Sequence, residues 1–305
     1  MSYGNGTGCF EFKNMPFGHA TTFGQGELSH CQGFREHMQN QPIKIGAVNY
    51  LNTKPLVYGL SERAQNIEIS YDLPSRLADD LTSGRLDVAL IPSIEFFQDP
   101  TYTIISDACI GCRGPVLSVK LFSRVPFDQI GTLALDEGSR TSAALVKILL
   151  EQRYGIRPRT EPLSIGSPAT TTSTDAVLLI GDRAIHSPSD EFVAVWDLGD
   201  QWCRWAELPF VFAMWVGRDG RDWHELAVAL SDTRDEGLRH LKQIAEQESQ
   251  PVGLDRDECL AYLRNNLYFH LGPRELQGLE LFYQLSSQIG AAPEGIDLSI
   301  TTLRS

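Results

Sequence analysis

Several of the usual pointers to a function class are missing from this sequence. There is no run rich in Lys and Arg, and the formal net charge is -13. A protein that grips DNA or RNA needs a basic face for the phosphates, so that class is excluded. No apolar stretch reaches the length of about 18 residues that would span a bilayer as a helix. Met1 to His30 holds no apolar segment of the secretory kind, so the chain is expected in the cytoplasm. The phosphate loop G-x-x-x-x-G-K-[ST], the dinucleotide turn G-x-G-x-x-G and the nucleophile elbow G-x-S-x-G are all absent. Neither a nucleotide cofactor nor a metal is implied.

Cysteines are few and scattered: Cys9, Cys31, Cys109, Cys112, Cys203 and Cys259. Such spacing does not read as a disulfide framework. Cys109 and Cys112 form a C-x-x-C with no second pair of ligands nearby, so zinc is not expected. Gly114-Pro115 follows at once, which reads as a loop rather than the helix start of a redox pair. Two ordinary thiols are expected.

The composition itself is that of a globular protein, with 42% hydrophobic and 21% charged residues in 305. That length accommodates two α/β lobes or one large domain. Residues 1–40 are rich in Gly, His, Gln and Phe and lack a period of 2 or 3.6, so they read as a poorly ordered extension. From Pro42 onward strands and helices alternate. Ile43–Val48, Ile67–Tyr71 and Leu86–Ile91 read as strands, and Pro55–Leu60 and Pro74–Ser83 as helices. Leu117–Phe122, Thr132–Leu135, Asp175–Ile180 and Phe210–Val216 read as further strands. A helix opens at Ser139. After Asp222 the pattern is helical to the end, broken at Pro251–Gly253 and at Gly272–Pro273. Alternation of this kind predicts mostly parallel sheets. One lobe is expected to comprise 41–120 and 212–305, the other 121–211. A chain that crosses between lobes twice leaves a ligand cleft between them, at the carboxyl ends of the strands.

Four segments follow strands and so lie at that edge, and a fifth, a Gly-Pro turn feeding a strand, brings backbone close to it. In Asn49–Pro55, Asn52 caps a helix or holds a ligand carboxylate or hydroxyl. In Ile91–Phe96, Ser93 is a candidate cap, and Glu95 either complements the helix dipole or acts as a base. Gly114–Ser118 brings Ser118 to the crossing between lobes. Gly138–Ala143 gathers Ser139, Arg140, Thr141 and Ser142 at the start of an amphipathic helix, where free amides, hydroxyls and a guanidinium suit an anion; a well-capped helix with an exposed Arg is the plainer alternative. In Leu179–Ala184, Gly181 and Asp182 either cap a helix or orient a ligand hydroxyl.

Taken in order, VNYLNTKPL, DVALIPSIEF, GPVLSVKLFS, LDEGSRTSAALVKILL, AVLLIGDRAI and LPFVFAMW resemble the chorismate dehydratase family of the futalosine route to menaquinone. They cover about residues 43–216. The resemblance implies a two-lobed, periplasmic-binding-protein-like α/β fold of type II. It also implies a carbon-oxygen lyase that removes water from chorismate, without a cofactor, to give 3-[(1-carboxyvinyl)oxy]benzoate. Asn52 and Ser118 are then the expected catalytic residues. Ser93, Ser139, Arg140, Thr141, Ser142, Gly181 and Asp182 are expected to bind the substrate. Small-molecule chorismate is the only partner implied. A sister family that makes 1,4-dihydroxy-6-naphthoate shares the fold but tends to read Pro-Asn-Asp-Thr in the first loop, where this chain has Leu51-Asn52-Thr53-Lys54-Pro55. A non-catalytic binder of small carboxylates is a further alternative. The extension over 1–40 and the Cys109/Cys112 pair depart from the family pattern.

Overall fold

The computed structural model describes residues 41–185 and 191–296; the extension read over 1–40, with Cys9 and Cys31, lies outside them. In chain order the elements are β1 (Ile43–Val48), a 3-10 turn (Leu51–Thr53), α1 (Lys54–Val57), α2 (Leu60–Arg63), β2 (Ile67–Asp72), α3 (Pro74–Thr82), β3 (Val88–Pro92), α4 (Ser93–Phe96) and β4 (Tyr102–Cys112). Then follow β5 (Val119–Ser123), β6 (Thr132–Asp136), α5 (Arg140–Tyr154), β7 (Arg159–Leu163), β8 (Ala176–Ile180), α6 (Asp182–Ile185), β9 (Ala194–Asp197) and α7 (Leu198–Ala206). The chain ends with β10 (Phe210–Arg218), α8 (His224–Arg239), α9 (Leu241–Val252), α10 (Arg256–Ala261), a π-turn (Tyr262–Asn266), β11 (Tyr268–His270) and α11 (Pro273–Gln288).

Two sheets result. One has six strands in the order β11-β4-β10-β3-β1-β2, the other five in the order β7-β6-β8-β5-β9. The chain leaves the first sheet after Cys112, enters the second at Val119, and returns between Ala206 and Phe210. β3, β8 and most of β10 are buried along their length. Their sequences VALIP, AVLLI and FVFAMWVGR are near-continuous apolar runs, as strands covered on both faces require.

The structure corrects the local reading at several points. Each sheet is mixed rather than mostly parallel. β1 pairs in parallel with β2 and β3, and β6 with β7 and β8, while β10 runs antiparallel to β3 and β4, and β5 antiparallel to β8 and β9. The returning chain imposes this, because it comes back to the first sheet through a strand of opposite direction. Cys109 and Cys112 do not sit in a loop. Both are buried on β4, an 11-residue strand that the sequence pattern does not announce because Ser106-Asp107 interrupts its apolar run. β7 also went unread: its sequence RTEPL is polar and mostly exposed, and it lies at a sheet edge, where Pro162 is tolerated. Short β11 interrupts the stretch read as helical.

Candidate functional site

Between the two sheets lies a cleft lined among others by Tyr50, Asn52, Ser118, Ser139, Ser142 and Gly181, with Val48, Ile110, Val119, Ile180 and Phe212 as its apolar walls. No Asp, Glu, His, Lys or Arg is among its described lining residues. Its described lining is therefore mostly apolar and carries no charged side chain, with a few hydroxyls and one side-chain amide. An anion there would be held by dipoles rather than by a paired charge.

On the five-stranded side, β6 runs into Asp136-Glu137-Gly138-Ser139 and then α5. Ser139 caps this helix: its hydroxyl oxygen accepts from the Ser142 amide at 3.2 Å, and its O–H donates to Ser142 Oγ at 2.8 Å. The first turn of a 15-residue helix thus faces the cleft with two linked hydroxyls. Asp136 is buried and fixes the turn. It accepts from the amides of Gly138 at 2.9 Å and Ile180 at 3.3 Å, and pairs with Arg183. Gly181, with φ of 70°, closes β8. A Cβ there would come within 3.2–3.4 Å of the Tyr50 ring, so the glycine both permits the backbone turn and leaves room for that tyrosine. Burial, with Asp136 close by, pushes the Tyr50 phenol up to about 12, so it stays protonated.

Ser118 is placed by the crossing segment rather than by a strand. β5 begins one residue later. Asp197, the N-cap of α7, accepts from the Val116 amide at 2.9 Å and the Leu117 amide at 2.6 Å. Leu117 adopts a positive φ of 60°, an uncommon state for a leucine that this clamp over-determines. From the other side, Asn266 in the π-turn donates to the Pro115 carbonyl at 2.9 Å. Asn52 sits in the 3-10 turn after β1, and its Oδ1 accepts from the neighbouring Thr53 hydroxyl at 3.4 Å. No side-chain cap closes that turn, so the capping alternative for Asn52 does not hold.

The other candidates lie in the seam where the lobes meet. Ser93 is buried and donates to the Val211 carbonyl at 2.6 Å. Thr141 accepts from the Ile94 amide at 3.1 Å, which joins the starts of α4 and α5. Asp182 accepts from the Leu51 amide at 3.4 Å, across from β8 to the loop after β1. Arg140, expected on a ligand carboxylate, instead donates to both oxygens of Asp79 at 2.9 and 3.1 Å and to Glu95 at 3.1 Å. Both acids come from helices between strands of the six-stranded sheet, and they occupy the guanidinium. Glu95, weighed as a base, is taken up by this pair; burial raises its carboxyl pKa while Arg140 opposes. Ser93, Arg140, Thr141 and Asp182 are not among the lining residues, whereas Asn52, Ser118, Ser139, Ser142 and Gly181 are.

The profile of a menaquinone biosynthesis family matches residues 43–288. The chain belongs to that family. A chorismate dehydratase of Thermus thermophilus is 32% identical over 260 residues, 79% of this chain and 94% of its own. Among solved structures, a protein from Archaeoglobus fulgidus superposes with a TM-score of 0.67 at 17% identity, over 82% of this chain and 98% of that one. The periplasmic aliphatic sulphonate binding protein SsuA from Escherichia coli does so with 0.54 at 13%, over 84% and 90%. At these identities the structures speak for the fold alone, which is the two-lobed periplasmic-binding-protein type. Within this member of the family, four contributors escaped the sequence reading. Tyr50 and Arg183 lay inside segments already singled out, without a role. Asp136 and Asp197 stand just ahead of helices, and a carboxylate before a helix was the signal available.

Proposed function

We propose that the chain dehydrates chorismate to 3-[(1-carboxyvinyl)oxy]benzoate, a step toward menaquinone. The observation that carries the proposal is the agreement between a neutral, hydroxyl-lined cleft and a relative, 32% identical, named for this reaction. Chorismate loses the C3 proton and the C4 hydroxyl; a C3–C4 double bond forms, the ring becomes aromatic and one water leaves. The C3 carbanion is vinylogous to the ring carboxylate, so donors at that carboxylate stabilise charge as the proton departs. Ser139, Ser142 and the free amides opening α5 would fill that role. Asn52 and Ser118, at the other wall, would hold the departing hydroxyl and the enolpyruvyl arm. With no titratable base among the described lining residues, the enolpyruvyl carboxylate would itself accept the C3 proton. The protein then contributes orientation and exclusion of water.

Incubation of the purified protein with chorismate alone, followed by chromatography, tests this. Expected is one equivalent of the enolpyruvyl benzoate per chorismate consumed. Tight binding without product would identify a carboxylate-binding protein. No binding, with turnover of a cyclic futalosine derivative, would identify the sister synthase.

A further inference from the structure

Behind Asn52 and Ser118 stands a residue that does not line the cleft. Tyr262 is the first residue of the π-turn Tyr262–Asn266 that follows α10. It is 2% exposed, and its hydroxyl oxygen is buried without a hydrogen-bond partner. That hydroxyl nevertheless lies beside the side chains of Ser118 and Asn52, near enough that both favour its charged form against burial, yet neither makes a full hydrogen bond to it. An orphan hydroxyl in a dry interior carries a desolvation cost that phenylalanine would avoid. π-turns are rare and concentrate at functional sites. This one also grips the crossing segment, through Asn266 on the Pro115 carbonyl at 2.9 Å, three residues ahead of Ser118. Both features put the phenol where it can act on Ser118, with Asn52 as its other polar neighbour.

We propose that Tyr262 is a positioning residue for the cleft, whose buried hydroxyl bonds Ser118 once a ligand draws that side chain into line. Burial holds the phenol protonated, so it is available as a donor to the serine oxygen, which leaves the serine proton directed at the ligand. The hydroxyl lacks a full hydrogen bond as it stands, and a ligand that aligns Ser118 supplies one. The role rests on the dehydratase reading for its substrate.

Tyr262→Phe, Ser118→Ala and the double variant are assayed with chorismate beside the wild type, with melting curves for each. Tyr262→Phe is expected to melt at or above the wild-type temperature, because it deletes an unpaired buried hydroxyl. Its kcat is expected to fall about tenfold to a hundredfold with KM little changed, as for a misplaced reacting group. In the Ser118→Ala background the same change is expected to cost nothing further. A Tyr262→Phe protein with wild-type kcat overturns the role. So does a loss of kcat that multiplies fully onto Ser118→Ala, or one matched by a drop in melting temperature. A wild type that leaves chorismate unchanged overturns the dehydratase reading first, and the role with it.

Discussion

Asn52 and Ser118 reach the cleft for different reasons. Asn52 rides on a 3-10 turn whose cap is left open, so its amide is not tied to the backbone ends. Ser118 is held by a carboxylate, Asp197, that clamps the two preceding amides. Asn52→Ala and Ser118→Ala should each lower chorismate turnover about a hundredfold or more, the usual cost of one lost donor at developing charge. Circular dichroism and melting curves should stay native. A melting temperature that falls in step with activity would show that these residues hold the fold instead.

Among the elements, α8 is the clearest case of packing decided by one atom. A Cβ on Gly237 would stand 2.0 Å from the Pro55 carbonyl oxygen of α1, so the two helices touch backbone to backbone. Gly237→Ala must push them apart and should cost about 1–3 kcal/mol, the range for overpacking, read from the urea midpoint at unchanged slope. α8 also faces β4 and β11 through a polar group. Arg234 donates to Asp107 at 2.6 Å, and so does Ser231 at 2.7 Å. Burial works against the Asp107 charge, but the bonds from Ser231 and Arg234 prevail and hold its pKa below 3.8. Burial, with Arg234 close by, lowers the His270 pKa below 6.5. Both groups bind protons more weakly in the folded protein than in the unfolded chain. Their stability is therefore complete above about pH 6.5, then declines as acid protonates His270, and declines again below 3.8 as Asp107 follows. Urea unfolding across this range should show the first decline vanish in His270→Gln. A stability that rises on acidification through pH 6 would contradict it.

For the whole molecule, the polar contacts across the two sheets include Arg140 on Asp79 and Glu95, Thr141 on the Ile94 amide, and Asp182 on the Leu51 amide. Arg140 and Asp79 are 41% and 58% exposed, so that pair adds little to stability, about 1 kcal/mol at most. An energy of that size still shifts an open–closed balance several-fold. Arg140→Ala should leave the melting temperature nearly unchanged, raise KM several-fold, and enlarge the radius of gyration of the ligand-free protein in small-angle scattering. An unchanged radius with a large fall in affinity would return Arg140 to the ligand.

What was legible without tertiary structure is what rests on neighbours in sequence. β3, β8 and β10 are continuous apolar runs, and such runs must be buried. Ser139 stands one residue ahead of an amphipathic stripe and caps it, by a bond that spans three residues. Segments after strands fall at one sheet edge, which brought Asn52, Ser139, Ser142 and Gly181 to the cleft that Ser118 also lines. What only the folded chain decided depends on residues far apart. β4 earns its place from partners on both sides, not from its own interrupted pattern. Polar β7 and short β9 are strands because a sheet offers them an edge. Arg140 meets Asp79 across 61 positions, and Tyr262 comes behind Ser118 only because the chain crosses between the sheets twice and its last helices return to the crossing. Local period and capping are short-range properties that the order of residues carries by itself. The direction in which a charged or phenolic side chain points is set by which partner is nearer, and only the closed fold brings those partners near.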